Sequence, residues 1–433
     1  MIQTKPSIED IQRKIASRKV YLWGTRQNGL SMCRVLERMG RPTAGFIDNS
    51  QSIQGHQMLG YPVVAPEVAF KDPDNPFIII SSGFYSDQIS NECLEAGLRP
   101  GEDFVWFAEL QKFDYQIDVA GVCNLRCISC PRGNMEEQPS AGYMSAETYK
   151  KVLDKILRED PFVGAVALYN WGEPLLNRDL AEIVRYTSQR EVHSAISSNL
   201  NIRRDFSDVI KAKPTWFRIS LSGYGKNYEI THTGGIWELF YENLWKLKQW
   251  REQYHPEMFV EAFCHLYKHG KEDIPKLREL CDELGFTFRF RHAALAPLEN
   301  VEAFVEGREM TDAAKQTMEL QALPLSEAME LARQQRDSTC FYERYLWITW
   351  DLKVAHCMER YDPSLLLVPT DFLSTPLAQI ADAREDNEFC NRCKENAIHR
   401  CYNVYGDEKL VIERKTAAVL PILPMLPSEQ RVC

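Results

Sequence analysis

Cys123-Asn124-Leu125-Arg126-Cys127-Ile128-Ser129-Cys130 decides how the rest of the chain is read. Its three thiols follow directly on an apolar, strand-like run at 115–119. A loop this short can direct three sulfurs inward around a metal centre. A [4Fe–4S] cube has four irons, so three protein thiolates leave one iron open to an outside ligand. The competing readings are a structural zinc knot and ordinary buried thiols. Zinc normally takes a fourth Cys or His nearby, and the next histidine along the chain is His193.

Outward from this loop, residues 113–295 alternate strand and helix. Strands are predicted at 115–119, 164–169, 193–198, 216–221, 258–266 and 286–291, with helices such as 145–158, 179–189 and 272–284 between them. Repeated units of this kind predict an open or partial (β/α)6 barrel of parallel strands. Residues 1–111 read as a separate α/β unit. Lys19 to Trp23 is a strand ending at Gly24, and a helix follows through Leu30, Val35, Leu36 and Met39. Further strands run from Ala44 to Ile47 and from Phe77 to Ile80, and a second helix runs to about Gly97. That order implies a doubly wound, Rossmann-like parallel sheet. Gly24 and Gly29 flank a turn where a helix N-terminus can face a phosphate. Asp48 stands near the spacing of a ribose-binding acid. The full Gly-x-Gly-x-x-Gly pattern is missing, so a plain tight turn at Gly24 stands beside the nucleotide-binding reading.

The expected organisation is 1–111, a barrel at 112–298, a helical connector at 299–339 and a cysteine-rich α+β region at 340–433. Val419 to Leu426, broken by prolines, is expected to pack as an extended tail. A net charge of −10 argues against nucleic acid or an anionic membrane as partner. No basic-then-apolar leader and no apolar run of about 18 residues is present, so a cytoplasmic location is expected. Thirteen cysteines in such a chain point to metal or cluster ligation rather than disulfides.

The triad and its surroundings resemble the radical S-adenosylmethionine (SAM) superfamily over about residues 113–295. Gly142-Tyr143-Met144 resembles the segment after that family's cluster loop. Asn170-Trp171-Gly172-Glu173-Pro174 resembles the Gly-Gly-Glu-Pro stretch whose backbone and carboxylate hold the SAM amino group, with Trp171 in place of the first glycine. Ser198-Asn199 stands where the family often has a ribose-contacting Thr-Asn, and Ser220 and Ser222 close the fourth strand, another region that touches SAM. Ser129 departs from the aromatic often found there. The resemblance implies that SAM chelates the open iron. One electron then breaks its C5′–S bond, and the resulting 5′-deoxyadenosyl radical takes a hydrogen atom from substrate. A flavodoxin- or ferredoxin-type donor is the implied partner.

Cys340, Cys357, Cys390 and Cys393 resemble the ligands of the twitch domain, the short form of SPASM, which holds one auxiliary [4Fe–4S] cluster. Trp350 to Cys357 resembles the hairpin leading to its second ligand. Cys401 and Cys433 are the candidates for a variant further cluster, and zinc is the rival metal. Four ligands leave no open iron, so electron transfer is the expected role. Cys33, Cys93, Cys264 and Cys281 are expected to be buried apolar residues.

Arg289, Arg291 and His292 end the last predicted barrel strand, on the side where barrel enzymes carry their active sites. The two arginines are expected to point to opposite faces, so that one grips a phosphate or carboxylate, while His292 takes a hydroxyl proton. Tyr169 and His265 are further candidates, and surface solvation or a structural hydrogen bond is the plain alternative. The N-terminal unit resembles domains of sugar acyltransferases and other surface-polysaccharide enzymes. The expected substrate is a sugar or aminocyclitol, nucleotide-linked or free, that is dehydrogenated or epimerised. The alternatives are a SPASM-type peptide or protein maturase and a zinc-stabilised binding protein without catalytic activity.

Overall fold

The computed structural model describes residues 8–25, 27–82, 86–134, 140–360, 366–384 and 387–406. Gly83, the Val419 to Leu426 tail and Cys433 lie outside the described residues. The chain builds two sheets, and the secondary structure is mixed α/β.

The N-terminal sheet contains β1 (Val20–Trp23), β2 (Gly45–Ile47), β3 (Gln57–Met58), β4 (Tyr61–Val64), β5 (Phe77–Ile80) and β6 (Phe104–Trp106), in the order β3-β4-β2-β1-β5-β6. All its pairings are parallel except β3 with β4. β1 and β5 are buried along their whole length because helices cover both faces, which is why they read as unbroken apolar runs.

The second sheet contains β7 (Asp114–Ile117), β8 (Ala165–Ala167), β9 (His193–Ser198), β10 (Trp216–Ser220), β11 (Phe259–Leu266), β12 (Thr287–His292), β13 (Tyr345–Ile348) and β14 (Val354–Ala355). Its order is β12-β11-β10-β9-β8-β7-β13-β14. β7 to β12 are the six parallel strands of the expected partial barrel. The sequence pattern did not foretell that the C-terminal region extends this sheet. β13 pairs parallel with β7, and β14 returns antiparallel to β13.

Alternation along each strand sorts the side chains. Ile117, Val166, Ile196, Phe217, Ile219, Ala262, Cys264, Leu266 and Phe288 join the helix-facing core. Their neighbours Gln116, Ala167, Ser197, Arg218, Ser220, Glu261, Phe263 and His265 therefore face the interior. Burying a large apolar side chain contributes about 1.5–3 kcal/mol, so the core anchors each strand in one register.

The N-terminal sheet is fastened to the start of the barrel strands. Ser31, on the helix Gln27–Arg38, bonds His193 Nδ1 at 2.9 Å. Arg38 donates to the carbonyls of Pro161, Val163, Arg190 and Glu191. Gly164 leaves room for Ser31 and Val35, and Phe162 is buried in the N-terminal core. The three-cysteine loop lies at the other end of the sheet, after β7. Among the described residues no helix is long and apolar enough to cross a membrane.

Candidate active site

The loop from Cys123 to Cys130 is held from several directions. Asn124 Nδ2 donates to Asn201 O at 2.8 Å, and Arg126 N donates to Thr233 O at 2.9 Å. Thr317 Oγ1 donates to Ile128 O at 2.7 Å, and the Tyr267 hydroxyl donates to Ser129 Oγ. Gly133 admits no side chain, because a Cβ would meet Cys127 O at 2.1 Å. These contacts bring the thiols of Cys123, Cys127 and Cys130 into one electrostatic neighbourhood. Burial pushes the Cys123 thiol up to about 12, and the other two are also raised. Three part-buried thiols that resist ionisation beside a carboxylate are poor company unless a metal supplies positive charge.

Glu173 is that carboxylate, 2% exposed at the end of the second barrel unit. It caps the one-turn helix Pro174–Leu176, where buried Pro174 takes the first position. Oε1 accepts from Leu175 N at 3.0 Å and from the Ser198 hydroxyl at 2.9 Å, and Oε2 accepts from Asn199 N at 2.8 Å. Burial nevertheless pushes its pKa up to about 7. Asn199 Nδ2 bonds Asn124 Oδ1 at 3.1 Å and approaches Cys123 Sγ at 3.6 Å. Glu173 thus ties the ends of two barrel units to the cysteine loop. The Ser198 hydroxyl braces Glu173 from the neighbouring strand. Gly172 lies so close to the backbone that follows β7 that a Cβ would sit 1.5 Å from Ala120 O. Trp171 packs against Trp347 of β13 with ring centroids 4.7 Å apart and the planes tilted by 56°.

Ser220 faces the interior opposite Phe263 in register. Ser222 is buried, and its hydroxyl accepts from His265 N at 3.0 Å. Arg289 and Arg291 correct the expectation of opposite faces: residues two apart on a strand share a face. Arg289 bonds Glu261 at 3.1 Å, and Arg291 lies over the Phe263 ring. Glu261 also bonds Arg218 at 3.0 Å. Arg289, already paired and 52% exposed, is an outer support of this network. His292 is a second correction. It is 1% exposed and aligns with Leu266 on the helix side of the sheet, away from the expected proton-taking position. The interior imidazole is that of His265.

In the N-terminal sheet, Gly24 has a positive φ of 126°, and a Cβ on Gly29 would meet Gly24 O at 2.0 Å, so the turn is tight. Asp48 Oδ2 accepts from Thr25 at 2.7 Å and Oδ1 accepts from Ser50 N at 2.9 Å. Both oxygens are thus engaged by neighbouring loop residues.

Cys340, Cys357, Cys390 and Cys393 come from three segments and gather into a second thiol group, in which each feels Cys340 or is Cys340 itself. Burial raises all four thiols, that of Cys393 to about 12. Cys401 is fully buried in the helix Ile398–Gly406 and packs in the same apolar core as Cys393. Cys33, Cys93, Cys264 and Cys281 are buried as expected. Among the described residues no three His, Cys, Asp or Glu side chains are spaced to hold a single metal ion.

A narrow crevice lies beside Cys357 of the second thiol group. Asp118, Arg132 and Trp171 line it on the triad side, and Trp347, His356 and Cys357 on the other. Asp118 Oδ1 and Arg132 Nε are buried there without hydrogen-bond partners among the described residues. Burial pushes the Asp118 carboxyl up to about 7, against the pull of Arg132. Sequence reasoning missed Asp118, Arg132 and His356, although each lies within five residues of a singled-out cysteine. The grouped thiols and the unpartnered polar atoms beside them fit an iron–sulfur cluster with a bound ligand.

Residues 117–280 match the family model described as the radical SAM superfamily. No curated protein matches the chain at the level of sequence. Among solved structures, the chain is similar to BtrN in complex with AdoMet and 2-DOIA, at 13% identity over 67% of this chain and 89% of that one, with a TM-score of 0.38. It is also similar to Streptococcus suis SuiB bound to precursor peptide SuiA, at 12% identity over 67% and 72%, with a TM-score of 0.43. A third is anSMEcpe with bound AdoMet, at 13% identity over 71% and 99%, with a TM-score of 0.43.

Proposed function

We propose, from the premise that residues 117–280 are a radical SAM domain, that this enzyme abstracts a hydrogen atom from a carbinol carbon of a sugar or aminocyclitol and oxidises or epimerises it there. The grouping of Cys123, Cys127 and Cys130 beside the Glu173–Asn199 pair carries the proposal. These three thiols would hold a [4Fe–4S] cluster, whose chemistry would be one-electron reduction of SAM. Glu173 and the backbone at Gly172 are the groups offered to the SAM amino end.

The polar interior supports an oxygen-rich substrate. Tyr169, Arg218, His265 and Arg291 present donors and an imidazole within an otherwise close-packed fold, and Arg218 feels both Tyr169 and Glu261. His265 is adjacent to Arg291, and burial holds its pKa well below the ordinary histidine range. A neutral imidazole can accept the hydroxyl proton as the carbon is oxidised. Cys340, Cys357, Cys390 and Cys393 would hold an auxiliary cluster, which would supply an acceptor for the electron left by a dehydrogenation.

Iron and labile sulfide per chain, measured after anaerobic reconstitution, test the metal sites. About eight irons, falling to about four when Cys123, Cys127 and Cys130 become Ala, are expected for two clusters. Zinc with no iron would sink the radical mechanism. 5′-Deoxyadenosine formation is then followed with nucleotide sugars, free aminocyclitols and peptides. Stimulation by peptides alone would replace the sugar reading with a maturase.

A further inference from the structure

His356 stands immediately before Cys357 at the end of β14, and its Nε2 lies 3.0 Å from Cys390 Sγ. The bond therefore joins two of the three segments that carry the second thiol group. The ring is fixed on several sides. It is 6% exposed and meets Phe389, the residue before Cys390, edge to face with centroids 6.1 Å apart. Its own carbonyl accepts from Arg384 Nη2 at 3.0 Å, and Arg384 Nη1 donates to Glu343 O at 2.7 Å. Phe389 lies in turn under the Arg360 guanidinium, 4.0 Å from the ring centroid. Nδ1 is buried with no hydrogen-bond partner among the described residues.

A sulfur that ligates iron is a thiolate and an acceptor. Facing it, Nε2 must carry the hydrogen, since a lone pair there would be repelled. Nδ1, without an acceptor, makes no competing demand for that hydrogen. An N–H bond to a cluster sulfur favours the reduced, more negative state and so raises the reduction potential.

We propose that His356 is a positioning residue that donates Nε2–H to Cys390 and raises the potential of the auxiliary cluster, making it a better acceptor for the electron left on substrate. This rests on the reading that the four C-terminal cysteines hold an iron–sulfur cluster. His356 also lines the crevice shared with Asp118 and Trp171, so the bond lies at the border between that crevice and the cluster.

The test uses the full chain with Cys123, Cys127 and Cys130 changed to Ala, so that one cluster remains, followed by EPR-monitored redox titration. His356→Leu is expected to shift the midpoint to a more negative value, with the oxidised-to-reduced ratio at fixed potential rising about tenfold, or 59 mV for one electron. His356→Gln, which keeps an N–H, is expected to recover part of that shift. A midpoint unchanged by His356→Leu at full iron content overturns the proposal, and so does a His356→Gln shift as large as that of Leu. Should the Leu variant lose iron, pulsed EPR on the unsubstituted His356 protein decides. Hyperfine coupling from an exchangeable proton and histidine nitrogen is expected, and its absence overturns the proposal. Zinc in place of iron would remove the cluster reading and the inference with it, and metal analysis tells that outcome apart from the others.

Discussion

Single residues carry most of the chemistry, and several are irreplaceable for geometric reasons. Gly172→Ala would push a methyl into Ala120 O, 1.5 Å from its ideal Cβ. Overpacking of this kind costs about 1–3 kcal/mol. The variant is expected to keep iron on the cysteine triad but to lose at least tenfold in SAM affinity, read from the change SAM causes in the reduced cluster's EPR spectrum. Glu173→Gln makes a finer test. The carboxylate accepts from Leu175 N, Ser198 and Asn199 N, whereas an amide offers one acceptor oxygen and sets its NH₂ against a backbone donor. An unmet buried donor costs about 1–3 kcal/mol. Thermal unfolding should fall accordingly and deoxyadenosine formation should drop by at least an order of magnitude. An unaltered rate would remove Glu173 from the site.

At the level of elements, the cysteine spacing and the run of strands were legible because both are local signals. A β/α repeat shows itself in hydrophobic alternation, and three thiols in a short loop have few other uses. What stayed hidden depends on packing across long distances in sequence. β13 joins the sheet beside β7 although some 230 residues separate Asp114 from Arg344, as their ion pair records. Arg289 and Arg291 were misjudged by a slip of strand period, and His292 by its place on the helix side. The hairpin of β13 and β14 also closes the cysteine loop. Trp350 at its tip packs against Gly121 and Gly142, where any Cβ would meet the indole within 2.3 Å, and its Nε1 donates to Ser140 O at 3.1 Å. Trp350→Ala is expected to open this cover, so that the triad cluster bleaches several-fold faster in air. Equal bleaching rates would show that the hairpin tip gives no protection.

Across the whole molecule, metal loading, protonation and folding are linked. Cys123 and Cys393, with thiols near 12, are protonated at neutral pH when no metal is bound. Each ligand must release a proton on binding, so iron retention is expected to weaken as pH falls from about 8 to 6. Metal content after dialysis at each pH checks this, and pH-independent retention would count against thiolate ligation. Chelation should raise hydrogen exchange across 340–360 and 387–406, whose segments meet at the second thiol group, while β1 and β5 stay protected by their own core. The joint between the N-terminal sheet and the barrel has a different character. Arg38→Ala is expected to loosen it by about 1–3 kcal/mol, seen as faster proteolysis near Phe162. Every acceptor that Arg38 uses is a main-chain carbonyl. The arginine's share of the joint is therefore nearly blind to barrel-side sequence, whereas His193, Phe162 and Gly164 hold it through a side chain or the lack of one. Substitutions at Arg190 and Glu191 can drift without loosening the guanidinium's grip, while those three positions are tied to the residues they carry.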